Sequence, residues 1–195
     1  MNSSIKNSLA HYKSTGYGEI NNFLREVYVY DEDVIDSKDR ILKDIGNIDT
    51  AIKFSGKENS GKKVYRGIKP FVIENLDFIE RGFSSTTTNI EIAAKNYTDG
   101  QCCILYFEIP NTVNSYKYPE KGYKEEEILI QRNLQYLNIS EVGIYQGVTI
   151  FTCTIKPYQL PTKSEVKKFE KSLDELRKEM MKKMMEELDF EDYED

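Results

Sequence analysis

Three stretches of the chain carry residue types able to do chemistry. Arg66 sits in the run Val64-Tyr65-Arg66-Gly67, Ser84 to Thr88 form a hydroxyl-rich run after Gly82 and Phe83, and Glu125, Glu126 and Glu127 stand directly before Ile128, Leu129 and Ile130. An arginine is a permanently charged, planar donor for anionic oxygens, which a lysine matches less well. A carboxylate where a buried strand emerges into a cleft can face a developing positive charge. In an extended chain, residues i and i+2 share a face about 6.6 Å apart, so Glu125 and Glu127 are expected to point one way and Glu126 the other, toward solvent. Each feature alone is ordinary. An arginine after a strand is usually a salt-bridge partner, Ser/Thr runs are common on sheet faces, and a glutamate triplet arises readily among 33 acidic residues.

The elements that must position these residues can be read from periodicity. Ile20, Phe23, Leu24 and Val27 fall at i, i+3, i+4, i+7, and Ile41, Leu42, Ile45, Ile48 and Ile52 repeat that spacing, so two amphipathic helices precede the breaker cluster at residues 55–63. Beyond it the texture changes to short β-rich runs: VYRGI, GFSSTTT, CCILYFEI, EILIQRN, LQYLNISEV and GVTIFTCTI. A short helix, NIEIAAKNY, fits between the second and third, with Asn89 as N-cap and Ile92, Ala93 and Tyr97 facing inward. After Pro157 and Pro161, Val166, Phe169, Leu173, Leu176 and Met180 alternate by three and four, continued less regularly by Met184 and Leu188. The expected plan is α+β: helices to about residue 55, a mixed, mostly antiparallel β-sandwich core over 62–157, and a C-terminal helix with an acidic tail over 161–195.

Composition excludes several function classes. At 195 residues the chain suits one domain of ordinary size, 1–160, with the terminal segment appended. The last ten residues hold seven acids and no base, so removing their −7 from the net −6 leaves the rest at +1. The body therefore lacks the basic excess that duplex nucleic acid or an anionic membrane would need. The single histidine, His11, lies in a polar N-terminal stretch, leaving no material for multi-histidine metal sites and none expected for Ser-His-Asp or Cys-His chemistry. Cys102, Cys103 and Cys153 lie inside β-rich runs without metal-ligand spacing and read as buried free thiols, with a catalytic thiol the lesser alternative. No apolar run approaches the roughly 18 residues of a membrane span, and the N-terminus shows no signal-peptide core.

Taken in order, VYRG, GFSSTT and EEEILI resemble the arginine, Ser-Thr-Ser and Glu-x-Glu signature of the mono-ADP-ribosyltransferases of the bacterial toxin and exoenzyme class, which includes phage- and virus-encoded members. INNFLRE and IGNIDTAIKFSG look like that family's N-terminal helices, so the likeness runs over about residues 15 to 157. It implies an ADP-ribosyltransferase fold, NAD as co-substrate and no metal. It implies that Arg66 grips phosphate or ribose oxygens and that the backbone at Gly67 holds the nicotinamide amide. Ser85, Thr86 and Thr87 are matched to Ser-Thr-Ser, with Phe83 two positions ahead as the motif expects and Ser84 one register away; Ser85 then orients the catalytic glutamate. Glu127 is expected to bind a ribose hydroxyl and stabilise the ribosyl cation, Glu125 to bind and help deprotonate an acceptor arginine, and Tyr123 to contact the acceptor protein. Tyr97 matches the aromatic of the family's phosphate loop. The arginine that follows it in the family is missing here, leaving Lys95 or Gln101 as substitutes.

The implied activity is transfer of ADP-ribose from NAD to arginine side chains of a host or target protein, in the cytosol of the producing or the host cell or as a secreted toxin component. An NAD glycohydrolase and a non-catalytic binding module are the alternatives. The helix at 162–190 is a candidate for association with a partner or a second copy, its methionines suiting an adaptable groove.

Overall fold

The computed structural model describes residues 1–26, 32–68 (32–36 as backbone only), 77–95, 103–119 and 126–159, together with 164, 167–168, 171–172 and 175–182. Tyr97, Gln101, Cys102, Tyr123 and Glu125 fall outside the described residues, as do Val27, Val166, Phe169, Leu173, Met184 and Leu188. The chain divides into two compact units, Met1–Tyr158 and Gln159–Asp195.

The first unit opens with α1 (Ser3–His11), a π-helical turn (Tyr12–Gly16), α2 (Tyr17–Leu24) and α3 (Glu32–Ser55). The strands follow as β1 (Lys63–Ile68), β2 (Phe78–Glu80), β3 (Ser84–Thr87), β4 (Cys103–Glu108), β5 (Ser115–Lys117), β6 (Glu127–Ile130), β7 (Leu134–Tyr145) and β8 (Val148–Pro157), with α4 (Ile90–Lys95) between β3 and β4. Asn89 caps α4 as expected, its Oδ1 accepting from the Glu91 amide at 2.9 Å. Two differences from the sequence reading stand out. The polar stretch SSIKNSLAH is helical, capped by Asn2, which accepts from the Ile5 amide at 2.9 Å. The three-residue strands β2 and β5 are too short to show a period of two.

The strands form one sheet in the order β2-β7-β8-β4-β1-β3-β6-β5, with β4–β8 parallel and the other six described pairings antiparallel. Ile128 and Ile130 of β6 nevertheless share a core with Leu134 and Tyr136 of β7, five places away in the ladder. The two ends of the sheet are thus packed face to face, which makes it the expected sandwich. A second core lies under the helices: Leu9, Tyr12, Ile20, Ile41, Ile45, Ile48, Ala51 and Ile52 pack on Phe83, Tyr118 and Leu129. The α3 stripe is as expected except at Leu42, which is 47% exposed, with Ala51 inside instead. At about 1.5–3 kcal/mol for each fully buried Ile or Leu, this helix-to-sheet contact is a major source of stability.

In the second unit, residues 164, 167–168, 171–172 and 175–182 are helical, as the sequence pattern predicts, and a Lys171–Glu175 pair spans i to i+4 at 3.8 Å. Leu176, Met180 and Met181 are exposed. Among the described residues no helix is long and apolar enough to cross a membrane.

Candidate active site

Strand alternation decides which side chains meet. On β3, Ser84 and Thr86 are buried while Ser85 is exposed, and Thr87 lies opposite Tyr65 of β1 and opposite Glu127 of β6. Directly opposed residues of an antiparallel pair share a face. Tyr65, Thr87 and Glu127 therefore form a row across three strands, with Ser85 on the same face and diagonal to Glu127. These residues, with Arg66, Gly67, Thr86, Tyr12, Lys13, Tyr17, Ile92 and Ala93, line a cavity of about 450 Å³. Of the expected site residues, Arg66, Gly67, Ser85, Thr86 and Glu127 thus come together in one place. Ser84 does not share it.

Ser84 instead closes a buried polar network. Arg66 Nη1 donates to Ser84 Oγ and, at 3.0 Å, to the Tyr136 hydroxyl, while Ser84 and Tyr136 bond each other at 3.0 Å. Arg66 Nη2 donates to Glu80 Oε2 at 2.7 Å. Glu80 also accepts from Arg25 at 2.9 and 2.7 Å and from the Gly82 amide at 2.7 Å. Burial alone would raise the Glu80 pKa, but the Arg66 and Arg25 charges and the Gly82 N–H overcome it and hold the carboxyl at about 2. Burial likewise works against the Arg66 charge, and Tyr136 and Glu80 more than restore it. The expected phosphate cation is thus built into the wall by fixed partners.

Asn21 ties the helices to this wall. Its Oδ1 accepts from the Phe83 amide at 2.9 Å, and its Nδ2 donates to the Phe83 carbonyl at 3.3 Å and to the Tyr12 hydroxyl at 2.9 Å. Gly82 is required beside it, because a Cβ there would stand 2.7 Å from Asn21 Oδ1. Burial pushes the Tyr12 phenol up to about 12, against hydrogen bonds with Asn21 and Ser85. A neutral hydroxyl at this position supports the Ser85 side of the cavity without itself acting as a base.

Glu127 is 14% exposed and pairs with Lys13, whose Nζ lies 3.3 Å from Oε2. Glu126 departs from the expected geometry. Its φ is +45°, a left-handed conformation, and its half-buried carboxylate accepts from the Thr88 hydroxyl. Regular alternation therefore starts at Glu127, where β6 begins, and Glu126 is not the solvent-facing bystander of the sequence reading. A bulky residue at positive φ carries a strain cost, of a kind concentrated at functional sites.

Lys95 is exposed at the end of α4; the lysine that lines the cavity is Lys13. The polar residues that the sequence reading did not assign to the site are Tyr12, Lys13, Tyr17, Asn21, Arg25, Glu80 and Tyr136. Glu80 and Tyr136 sit on strands with no local motif, and Lys13 reaches the site from the π turn.

Two other clusters are structural. Ser8 Oγ donates to Asp44 Oδ1 at 2.6 Å and His11 Nδ1 meets Asp44 Oδ2 at 2.9 Å, so the aspartate stands between serine and histidine and the order of a hydrolytic triad is wrong. Cys103 and Cys153 are buried and not disulfide-bonded, and burial pushes the Cys153 pKa up to about 12, away from nucleophilic use. Among the described residues no group of His, Cys, Asp or Glu is suited to a metal ion.

A family model described as ADP-ribosyltransferase exoenzyme matches residues 1–159. Vis toxin, an ADP-ribosyltransferase from Vibrio splendidus, is 18% identical over 85% of this chain and 76% of its own, with a TM-score of 0.60. The ADP-ribosylating toxin BECa of a binary enterotoxin of C. perfringens, solved with NADH, is 25% identical over 79% of this chain and 43% of its own, with a TM-score of 0.62. C3stau2 from S. aureus, solved with NAD, is 18% identical over 80% of this chain and 88% of its own, with a TM-score of 0.59. No curated protein matches the sequence.

Proposed function

The chain belongs to the ADP-ribosyltransferase exoenzyme family, and from that premise we propose that it transfers ADP-ribose from NAD to arginine side chains of a host or target protein, releasing nicotinamide in the cytosol where it acts. The observation that carries this reading is the convergence of Glu127, Ser85, Thr87, Tyr65, Gly67 and Arg66 on one cavity. Its volume of about 450 Å³ falls within the common range for small-ligand sites. Its wall offers both a carboxylate and cations, the charges that a substrate with a cationic base and an anionic diphosphate needs.

In this reading Glu127 binds a ribose hydroxyl and holds negative charge beside the anomeric carbon, where positive charge grows as the bond to nicotinamide breaks. The nicotinamide leaves with the bonding electron pair, and an arginine Nη nitrogen forms the new bond to that carbon and gives up a proton. Ser85 holds the carboxylate in place, the Gly67 backbone holds the nicotinamide amide, Thr86 and Tyr97 complete the NAD contacts, and Arg66 presents its guanidinium edge to phosphate or ribose oxygens. Glu125 receives the acceptor's proton, and Tyr123 meets the acceptor protein.

NAD is supported as co-substrate by C3stau2, solved with NAD, and by Exoenzyme S from Pseudomonas aeruginosa, solved with carba-NAD. An arginine acceptor is supported by Vis solved with agmatine, whose guanidinium has arginine's chemistry. We assign the reaction to residues 1–160, and association with a partner or a second copy to the segment 162–190. The test is incubation of purified protein with labelled NAD and a host lysate, with modified residues mapped by mass spectrometry. Labelled arginine is expected. Labelling confined to other residue types, or no NAD consumption, contradicts the reading.

A further inference from the structure

The Lys13 ammonium occupies a defined slot. Its Nζ is 3.3 Å from Glu127 Oε2 and 5.2 Å from the centroid of the Tyr118 ring. Tyr118 is 8% exposed and its hydroxyl donates to the Leu9 carbonyl at 3.2 Å, while the Lys13 side chain is 37% exposed. Lys13 is brought here by the π-helical turn Tyr12–Gly16. That turn is pinned by Gly16 packed against the His11 ring, where a Cβ would stand 2.7 Å away, by His11 on Asp44, and by Ser14 Oγ donating to the His11 carbonyl at 3.1 Å.

A carboxylate on one side and an aromatic face on the other is a site for a cation. A guanidinium suits it better than an ammonium, because it is planar, stacks on a ring, takes a carboxylate edge-on and is more weakly hydrated. We propose that the space between Glu127 and Tyr118 is the subsite for the acceptor's guanidinium, and that Lys13 is its resting occupant, displaced when arginine enters. The proposal rests on the arginine-transfer reading. It makes Lys13 a specificity-determining residue that lowers the affinity for any cationic acceptor. A carboxylate has lone pairs enough for a ribose hydroxyl on one oxygen and the acceptor on the other. The arriving nitrogen would then lie beside the anomeric carbon that Glu127 serves.

The test is an NMR titration of the full chain with methylguanidinium in the absence of NAD, with methylurea as the uncharged isostere. For a partly exposed ion pair, removal of the competitor should tighten methylguanidinium binding in Lys13→Met, by up to about fivefold. Lys13→Arg, a better occupant, should weaken it, and methylurea should respond to neither change. Adding Glu127→Gln to Lys13→Met should abolish the gain. Circular dichroism establishes that each variant is folded, and the two Lys13 variants, which change in opposite directions, each test the idea alone. Unchanged or weaker binding by folded Lys13→Met, or stronger binding by folded Lys13→Arg, overturns the slot. NAD consumption by wild type is measured in parallel: its absence counts against the transferase reading, while the binding data still decide whether the slot exists.

Discussion

Arg66 Nη2 donates to Glu80 Oε2 at 2.7 Å, joining the arginine of the first motif to a carboxylate on a strand that carries no motif at all. With Arg25 on the other side of Glu80, and Tyr136 and Ser84 on Arg66, this pair forms a rigid polar wall under the candidate site. Such a network is costly to break on one side, because the remaining charge stays buried without its partner.

Acid stability follows from the Glu80 pKa. The carboxyl is held at about 2 against a model-compound value of 4.5, so its contribution is fully present above about pH 4.5 and is lost as pH falls toward 2. The shift corresponds to on the order of 3 kcal/mol. Denaturant unfolding at a series of pH values between 5 and 2.5 should show wild type losing stability across that window. Glu80→Gln should start lower by about 3–5 kcal/mol at pH 7, since Arg66 loses its partner, and should show a smaller loss on acidification. An unchanged acid slope in Glu80→Gln would contradict the assignment.

The two serines should separate cleanly. Ser84→Ala removes a fully buried hydroxyl bonded to Arg66 and Tyr136, and is expected to cost about 1–3 kcal/mol of stability. Ser85→Ala, on the exposed face, should leave the melting temperature nearly unchanged and lower NAD turnover, by about tenfold if it loses one transition-state hydrogen bond. Thermal melts alongside turnover check both. A turnover defect confined to Ser84→Ala in folded protein would move the motif's register by one.

Much of this arrangement was legible before the structure, and for definite reasons. Arg66, Ser85 and Glu127 stood out because VYRG, GFSSTT and EEEILI, taken in order, resemble a family signature, and each lies on a short β-rich run. Glu80 and Tyr136 escaped notice because what makes them matter is a sheet folded over on itself, which brings β7 onto β1 and β3. Lys13 escaped for a different reason: a π turn, set by His11 and Gly16, has no sequence period. Glu126 defeated the alternation argument because one left-handed residue interrupts the extended chain. Leu42 lies on one flank of the α3 stripe and stays exposed, while Ala51 on the opposite flank is buried.

Glu125 and Glu127 are expected to divide the labour of the reaction. Glu125→Gln should lose transfer to arginine while keeping slow hydrolysis of NAD, because hydrolysis has no guanidinium to deprotonate. Nicotinamide release and label transfer, measured together on the same preparation, distinguish the two activities. Loss of both in folded Glu125→Gln would show that the division is wrong.

The most direct measurement is the labelling of target arginines with ADP-ribose by wild type and by Glu127→Ala at equal concentration, with both shown to be folded. Removal of one electrostatic stabiliser of a cationic transition state is expected to lower the rate by at least about 10²–10³-fold. Equal labelling by the two proteins would contradict the assignment of Glu127 as the charge that faces the ribosyl cation.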